Sequence, residues 1–375
     1  MKVIVAMNAF KGSLTSMQAG AAVKKGILRA HPDAEVIVKP LADGGDGTTD
    51  ALIEGLGAER VDVQVSGPLG DPVDAYYGWL KEKNLAVMEM AEAAGLALID
   101  RPDPMHASTF GVGEMIKDAL SRGIRNFMIG IGGSATNDGG IGMLKALGWK
   151  FLTASGLDAG EGMQALPEIV SVIPPSAEEQ SILDECSFQI ACDVTNPLCG
   201  PEGASHVYGP QKGIPAEMLD KADRWMKSYA DVTARATRRD CSEAEGSGAA
   251  GGLGFAFLSY LNADLVPGAE LIMDVTGLKE AMVDADIAVT GEGRIDSQTV
   301  MGKAPIRLAQ AAKQYGCRVL AFSGSVADDA GVCNEAGIDA FFPIVRENTT
   351  LGNALQIGTA TVNLENTVEQ VFRLL

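Results

Sequence analysis

The chain has 375 residues, 46% hydrophobic side chains and a slightly positive mean hydropathy, enough for a large buried core and for two domains. Its net charge of −19 argues against nucleic acid or an anionic membrane surface as a partner, and no apolar run reaches the length of a transmembrane helix. Six cysteines stand singly and only three histidines accompany them, which argues against a structural zinc and fits reduced thiols in a cytoplasm. The N-terminus runs straight into a strand with no signal-peptide pattern.

Residues 2–7 read as a strand and 16–30 as a helix, apolar or small at Ala19, Val23 and Ile27 and capped by Ser13 or Thr15. Between them Lys11 stands where a cation can reach a bound phosphate, although a solvated loop lysine has the same signature. Strand 35–39 leads to Asp43-Gly44-Gly45-Asp46, two carboxylates around a glycine pair. They suit a metal or a hydroxyl-bearing substrate, or simply a turn with a helix cap. After a helix at 49–56, the alternation at 60–66 and strands at 73–80 and 85–90 break the βα rhythm and mark a domain change. A helix follows at 114–122.

A buried strand at 126–131 then opens into Gly132-Gly133-Ser134-Ala135-Thr136-Asn137-Asp138-Gly139-Gly140 before the helix at 143–147. Four glycines among hydroxyls, an amide and a carboxylate allow backbone N–H groups to close on an anion, helped by the helix N-terminus. Strand 188–192 ends in Asp193, a carboxylate placed as a metal ligand or general base, or as the first residue of an Asx turn. The loop Tyr208–Gly213 carries Lys212, and a helix covers 218–239. The glycines of 246–254 serve ligand contact or close helix packing with equal plausibility. Strand 287–290 has a polar outlet at 291–299, followed by Gly302-Lys303 and a helix at 306–315. Strands at 318–322 and 338–343 and a closing helix at 351–374 complete the chain.

Gly130 to Ala135 matches the dinucleotide pattern G-x-G-x-x-A only weakly, because the helix is delayed and no ribose-binding acid follows. There is neither a P-loop signature nor G-x-S-x-G, and His31, His106 and His206 have unexceptional neighbours. What remains is a set at strand ends: Lys11, Asp43, Asp46, Ser134, Asn137, Asp138, Asp193, Glu292, Arg294, Asp296 and Lys303. Carboxylates that can hold Mg²⁺, with lysines and backbone donors for phosphates, equip a site for phosphoryl transfer.

Over essentially its whole length the chain resembles the bacterial type I glycerate kinases. The shared motifs are Phe10-Lys11-Gly12-Ser13-Leu14, Ala42-Asp43-Gly44-Gly45, Gly130 to Gly140, Ala191 to Leu198, Gly209 to Gly213, and Thr290 to Asp296 with Gly302-Lys303. The resemblance implies ATP-dependent phosphorylation of D-glycerate with Mg²⁺, giving 2-phosphoglycerate; the expected partners are glycerate and ATP, with no nucleic acid or membrane, and a homodimer is the expected assembly. It also implies two α/β domains with the active site in the cleft between them. One is a Rossmann-like parallel-sheet domain built from both chain ends (1–66 plus 284–375); the other is an inserted mixed α/β domain (67–283). The expected catalytic residues are Asp193, Lys11, Asn8 and Arg294; ATP falls to Gly132, Gly133, Ser134, Thr136, Asn137 and Lys303. Glycerate falls to Asp43, Gly44, Gly45, Asp46, Glu292 and Asp296, and Mg²⁺ to Asp193 and Asp138. Two positions depart from the family pattern: Asn8 where Asp is usual, and Asp46 where Glu is usual. Where that Asp is a base or a charged metal ligand an amide does not replace it, so a catalytically weakened nucleotide-binding protein is one alternative. A nicotinamide-dependent oxidoreductase of a small 2-hydroxy acid is another.

Overall fold

The computed structural model describes residues 1–45 and 47–375, so Asp46, expected above to meet substrate, lies outside the described residues. The first strands are β1 (Lys2–Val5), β2 (Glu35–Val38), β3 (Glu59–Ser66), β4 (Pro72–Leu80), β5 (Leu85–Glu89) and β6 (Asn126–Gly130). They are followed by β7 (Lys150–Leu152), β8 (Ser171–Ile173), β9 (Ser187–Ala191), β10 (Asp264–Val266), β11 (Ile287–Ile295), β12 (Arg318–Val326) and β13 (Ala340–Pro343). The chain divides into two compact units. One comprises Met1–Asp43, Asp50–Gly57 and Gly268–Leu375; the other comprises Gly44–Thr49 and Ala58–Pro267.

The first unit is built on a parallel sheet of order β13-β12-β11-β1-β2. Its strands are apolar on both faces, as a sheet covered on both sides requires. Val3, Val5, Val289, Leu320 and Phe322 pack with the helices Ser16–Ala30 and Ile357–Phe372. Ile4, Ala288, Val319 and Ala321 pack on the other face with Gly268–Thr276 and Ala304–Gln314. Each fully buried Val or Ile contributes about 2 kcal/mol by leaving water. Helix Ser16–Ala30 begins at Thr15, whose hydroxyl accepts from Gln18 N while the Gln18 side chain accepts from Thr15 N. Lys25 and Arg29 on that helix pair with Glu365 on the terminal helix at 2.8 and 2.7 Å. The connection out of β1 covers one face and the connection out of β11 covers the other. The sheet therefore reverses its winding between β1 and β11, where open α/β sheets leave a crevice at the strands' carboxyl ends.

The second unit carries a six-stranded sheet of order β10-β9-β6-β5-β4-β3. Strands β3, β4 and β5 form an antiparallel meander, whereas β5, β6, β9 and β10 run parallel. Strands β7 and β8 make a separate two-stranded ribbon.

Several boundaries differ from those expected. Strand β3 pairs with β4 from Glu59–Trp79 to Ser66–Pro72, so residues 58–66 belong with the second unit's sheet, not with 1–66. Strands β11 and β12 extend to Ile295 and Val326, placing Glu292 and Arg294 on a strand and not in its outlet. The helix Phe110–Ser121 starts four residues early, because Gly111 and Gly113, read as loop, are the surfaces against which the Ser66 and Met143 backbones press. The closing helix is two, Leu351–Ala354 and Ile357–Phe372, the first capped by the Thr350 hydroxyl accepting from Asn353 N.

Candidate active site

A cavity of about 810 Å³ opens at the carboxyl ends of the first unit's strands. Asn8, Lys11 and Ser13 come from the segment after β1, Asp43 from that after β2, and Gly324 and Ser325 from the end of β12. Glu292 and Arg294 come from β11, where alternation puts them on one face, and Asp296, Gln298 and Lys303 follow it. Residues nearly 300 positions apart in sequence thus meet at the point where the winding reverses.

The chemistry here is charged on both signs. Thr299 Oγ1 donates to Glu292 Oε1 at 2.9 Å. Arg294 Nε donates to Asp296 Oδ2 at 3.2 Å, Gln298 N donates to Asp296 Oδ1 at 3.0 Å, and Lys303 Nζ stands 3.8 Å from the same carboxylate. Burial raises the Glu292 pKa above the ordinary glutamate range, and the charges of Asp296 and Asp43 raise it further against the pull of Lys303 and Thr299. The Asn8 side chain is engaged locally, its Oδ1 accepting from Ala9 N at 2.8 Å. Ser13 Oγ is enclosed and has no partner among the described residues.

In the second unit the long glycine-rich loop is organised inward. Gly132 and Gly133 are exposed, but everything from Ser134 to Gly140 is buried. Asp138 Oδ2 accepts from Thr109 N, Thr109 Oγ1 and Gly142 N at 2.9, 2.8 and 3.3 Å, and its Oδ1 accepts from Gly140 N at 3.0 Å. It fixes the turn into the helix Ile141–Ala146, and this commitment removes it from the expected Mg²⁺ set. Asn137 Nδ2 donates to Ser205 Oγ at 3.0 Å, and Lys212 Nζ donates to Ser134 Oγ and the Thr136 carbonyl, both at 2.7 Å. Ser134, Thr136 and Asn137, expected at ATP, therefore face the unit's own interior. Lys212, read as a loop lysine, is only 2% exposed; burial lowers its pKa to about 7, with Asp138 partly opposing. The glycines of 246–254 serve packing: a Cβ on Gly251 would strike the Thr136 carbonyl, and Gly139 N donates to Gly251 O at 2.9 Å.

Along the carboxyl edge of that sheet lie Glu89, the Gly132–Gly133 pair, and Asp193 in an exposed loop after β9. Glu89, which sequence reasoning missed, accepts from Gly47 N and Thr49 N at 3.1 and 2.7 Å, and burial raises its pKa to about 7. Its apolar strand masked it; a lone acid closing a buried strand was the available signal. Gly44 and Gly45 belong to the same unit, and a Cβ on Gly130 would collide with the Gly44 carbonyl.

Among the described residues no group of three or more His, Cys, Asp or Glu side chains could hold a metal unaided. Mg²⁺ does not require one, since it commonly binds one or two carboxylates together with substrate phosphates and water. Glu292 and Asp296, on and just after β11, are carboxylates of that kind on one cavity. All six cysteines are free thiols. Among the described residues no helix is long and apolar enough to cross a membrane.

Comparison with known proteins accords with this chemistry. The model of the glycerate kinase family matches residues 3–375. The chain is 42% identical over 358 residues to a glycerate kinase of Bacillus subtilis (strain 168), covering 95% of this chain and 93% of that one. It is 41% identical over 359 residues to a glycerate 2-kinase of Escherichia coli (strain K12), with coverage of 95% and 93%. A Salmonella typhimurium LT2 crystal structure, provisionally named glycerate kinase 2, matches with a TM-score of 0.91 at 40% identity, over 100% of this chain and 98% of that chain. This chain belongs to the glycerate kinase family.

Proposed function

We propose that the protein transfers the γ-phosphoryl group of ATP to the 2-hydroxyl of D-glycerate with Mg²⁺. The observation that carries this reading is the first unit's cavity, where Lys11, Arg294 and Lys303 stand with Asp43, Glu292 and Asp296 at the reversal of the sheet's winding. In a chain of net charge −19, three cations face three carboxylates on this cavity, so anionic substrates depend on direct pairing with Lys11, Arg294 and Lys303 and on a cation that the carboxylates would hold.

Lys11 and Arg294 hold the glycerate carboxylate, Arg294 being kept in place by its pairing with Asp296. Lys303 neutralises phosphate oxygens. Glu292 and Asp296 would hold Mg²⁺ together with the phosphates and water, and when bound it supplies charge neutralisation across the phosphates. The substrate oxygen bonds to the γ-phosphorus as ADP leaves, and its proton passes to a carboxylate of the same cavity. Asn8, bonded to its own neighbour's N–H, takes no proton and serves to shape the loop.

Thermal shift tests the reading. MgATP at about 100 times its Kd should stabilise the protein by about 2.7 kcal/mol, and NADH should give no comparable shift. A larger shift with NADH than with MgATP would favour the oxidoreductase reading instead.

A further inference from the structure

The polar cluster fills only part of the cavity. Beyond Ser325 the same space continues past the end of β13 and along the two C-terminal helices. There its wall is mostly apolar, with Ile344, Val345, Leu351, Leu355 and Ala360, interrupted by Thr349 and Thr350 and with Asn363 at the margin. Leu351 and Leu355 lie four residues apart, so they share a face, and they are 74% and 36% exposed. The Asn363 amide has no hydrogen-bond partner among the described residues, which leaves both a donor and an acceptor available in the cavity wall. Pockets for whole small-molecule ligands span about 300–1,000 Å³. At about 810 Å³ this one is in that range, and a three-carbon acid leaves most of it unfilled.

We propose that this apolar end is the nucleobase subsite of the phosphoryl donor, with Leu351 and Leu355 against the base and Asn363 reading its edge. The occupant follows from the form of the cavity. A ligand that fills the rest of it needs an anionic end against Lys303. At the other end it needs a flat apolar body with hydrogen-bonding groups on its rim. A nucleoside triphosphate has both, joined covalently, and its phosphates reach Lys303 beside the glycerate carboxylate held by Lys11 and Arg294. The inference rests on the kinase reading for the identity of the donor, and it moves the nucleotide away from the buried side chains of Ser134, Thr136 and Asn137.

The test is calorimetric titration of the full chain with MgATP and, separately, with inorganic tripolyphosphate. Both Leu351 and Leu355 are solvent-facing, so the double variant Leu351→Ser/Leu355→Ser should keep the native melting temperature. We expect its Kd for MgATP to weaken about tenfold, with the Kd for tripolyphosphate changed less than twofold. Asn363→Ala should weaken MgATP about fivefold and again spare tripolyphosphate. In turnover the effect should appear in KM for ATP and not in KM for glycerate. Unchanged ATP affinity, or equal weakening of ATP and tripolyphosphate, would overturn the assignment. So would loss of self-association in the double variant with ATP binding intact, which would give the patch to a second copy of the chain. Wild-type protein that binds MgATP yet releases no ADP with glycerate would sink the kinase reading and leave this subsite standing.

Discussion

Replacing Lys212 with methionine separates an inward-organised loop from a phosphate cradle. Lys212 Nζ is enclosed by Ser134 Oγ and the Thr136 carbonyl at 2.7 Å each, and burial takes its pKa from 10.5 to about 7. In the unfolded chain the same ammonium titrates near its ordinary value. Above pH 7 the folded protein therefore holds fewer protons than the unfolded one, and stability rises as pH climbs from 7 towards 10.5. At about 1.4 kcal/mol per pH unit, that displacement amounts to at most about 5 kcal/mol over the whole window and about 2.7 kcal/mol between pH 7 and 9. Lys212→Met fills similar volume but carries no charge, and it leaves two polar atoms short of a donor at about 1–3 kcal/mol each. Urea unfolding of both proteins at pH 7, 8 and 9 reads the difference, in which other titrating groups largely cancel. The wild type should gain on the variant by 1 kcal/mol or more per pH unit. Parallel pH profiles would refute the reasoning and return Lys212 to solvent or ligand.

Glu89 should behave with the opposite sign. Its folded pKa is raised from 4.5 to about 7, so stability falls as pH rises through that window, by up to about 3 kcal/mol, and Glu89→Gln should flatten the decline in melts from pH 4.5 to 7.5. An identical decline in the variant would contradict the buried assignment. Gly130→Ala drives a methyl into the Gly44 carbonyl and should cost about 1–3 kcal/mol in unfolding titrations; an unchanged denaturation midpoint would show that the turn yields freely.

Periodicity and capping chemistry made most of the framework legible. Thr15 with Gln18 starts the first helix where the pattern placed it, and the apolar strands at 2–5, 35–38 and 126–130 stand within a residue or two of expectation. The polar residues of the β11 segment proved harder, because Glu292 and Arg294 look like an outlet when listed by composition. The ladder from Ile287–Arg318 to Ile295–Val326 keeps them in strand, since the parallel partner satisfies their backbone. The stretch 132–140 misled in a different way. A loop rich in hydroxyls, amide and carboxylate satisfies an anion or satisfies itself, and composition does not distinguish the two. Here Asp138 spends its oxygens on Thr109, Gly140 and Gly142, while a buried lysine from far along the chain meets Ser134. That pairing is a tertiary fact with no local signature. The apolar wall at Leu351 and Leu355 was hidden because one long amphipathic helix and two short ones have nearly the same pattern.

The central claim is tested most directly by mixing the protein with MgATP and D-glycerate and reading the phosphorylated product by phosphorus NMR, with ADP release followed in the same sample. The account predicts one ADP for each 2-phosphoglycerate formed and none when glycerate is withheld. No glycerate-dependent ADP, or phosphate appearing on the 3-hydroxyl, would contradict it.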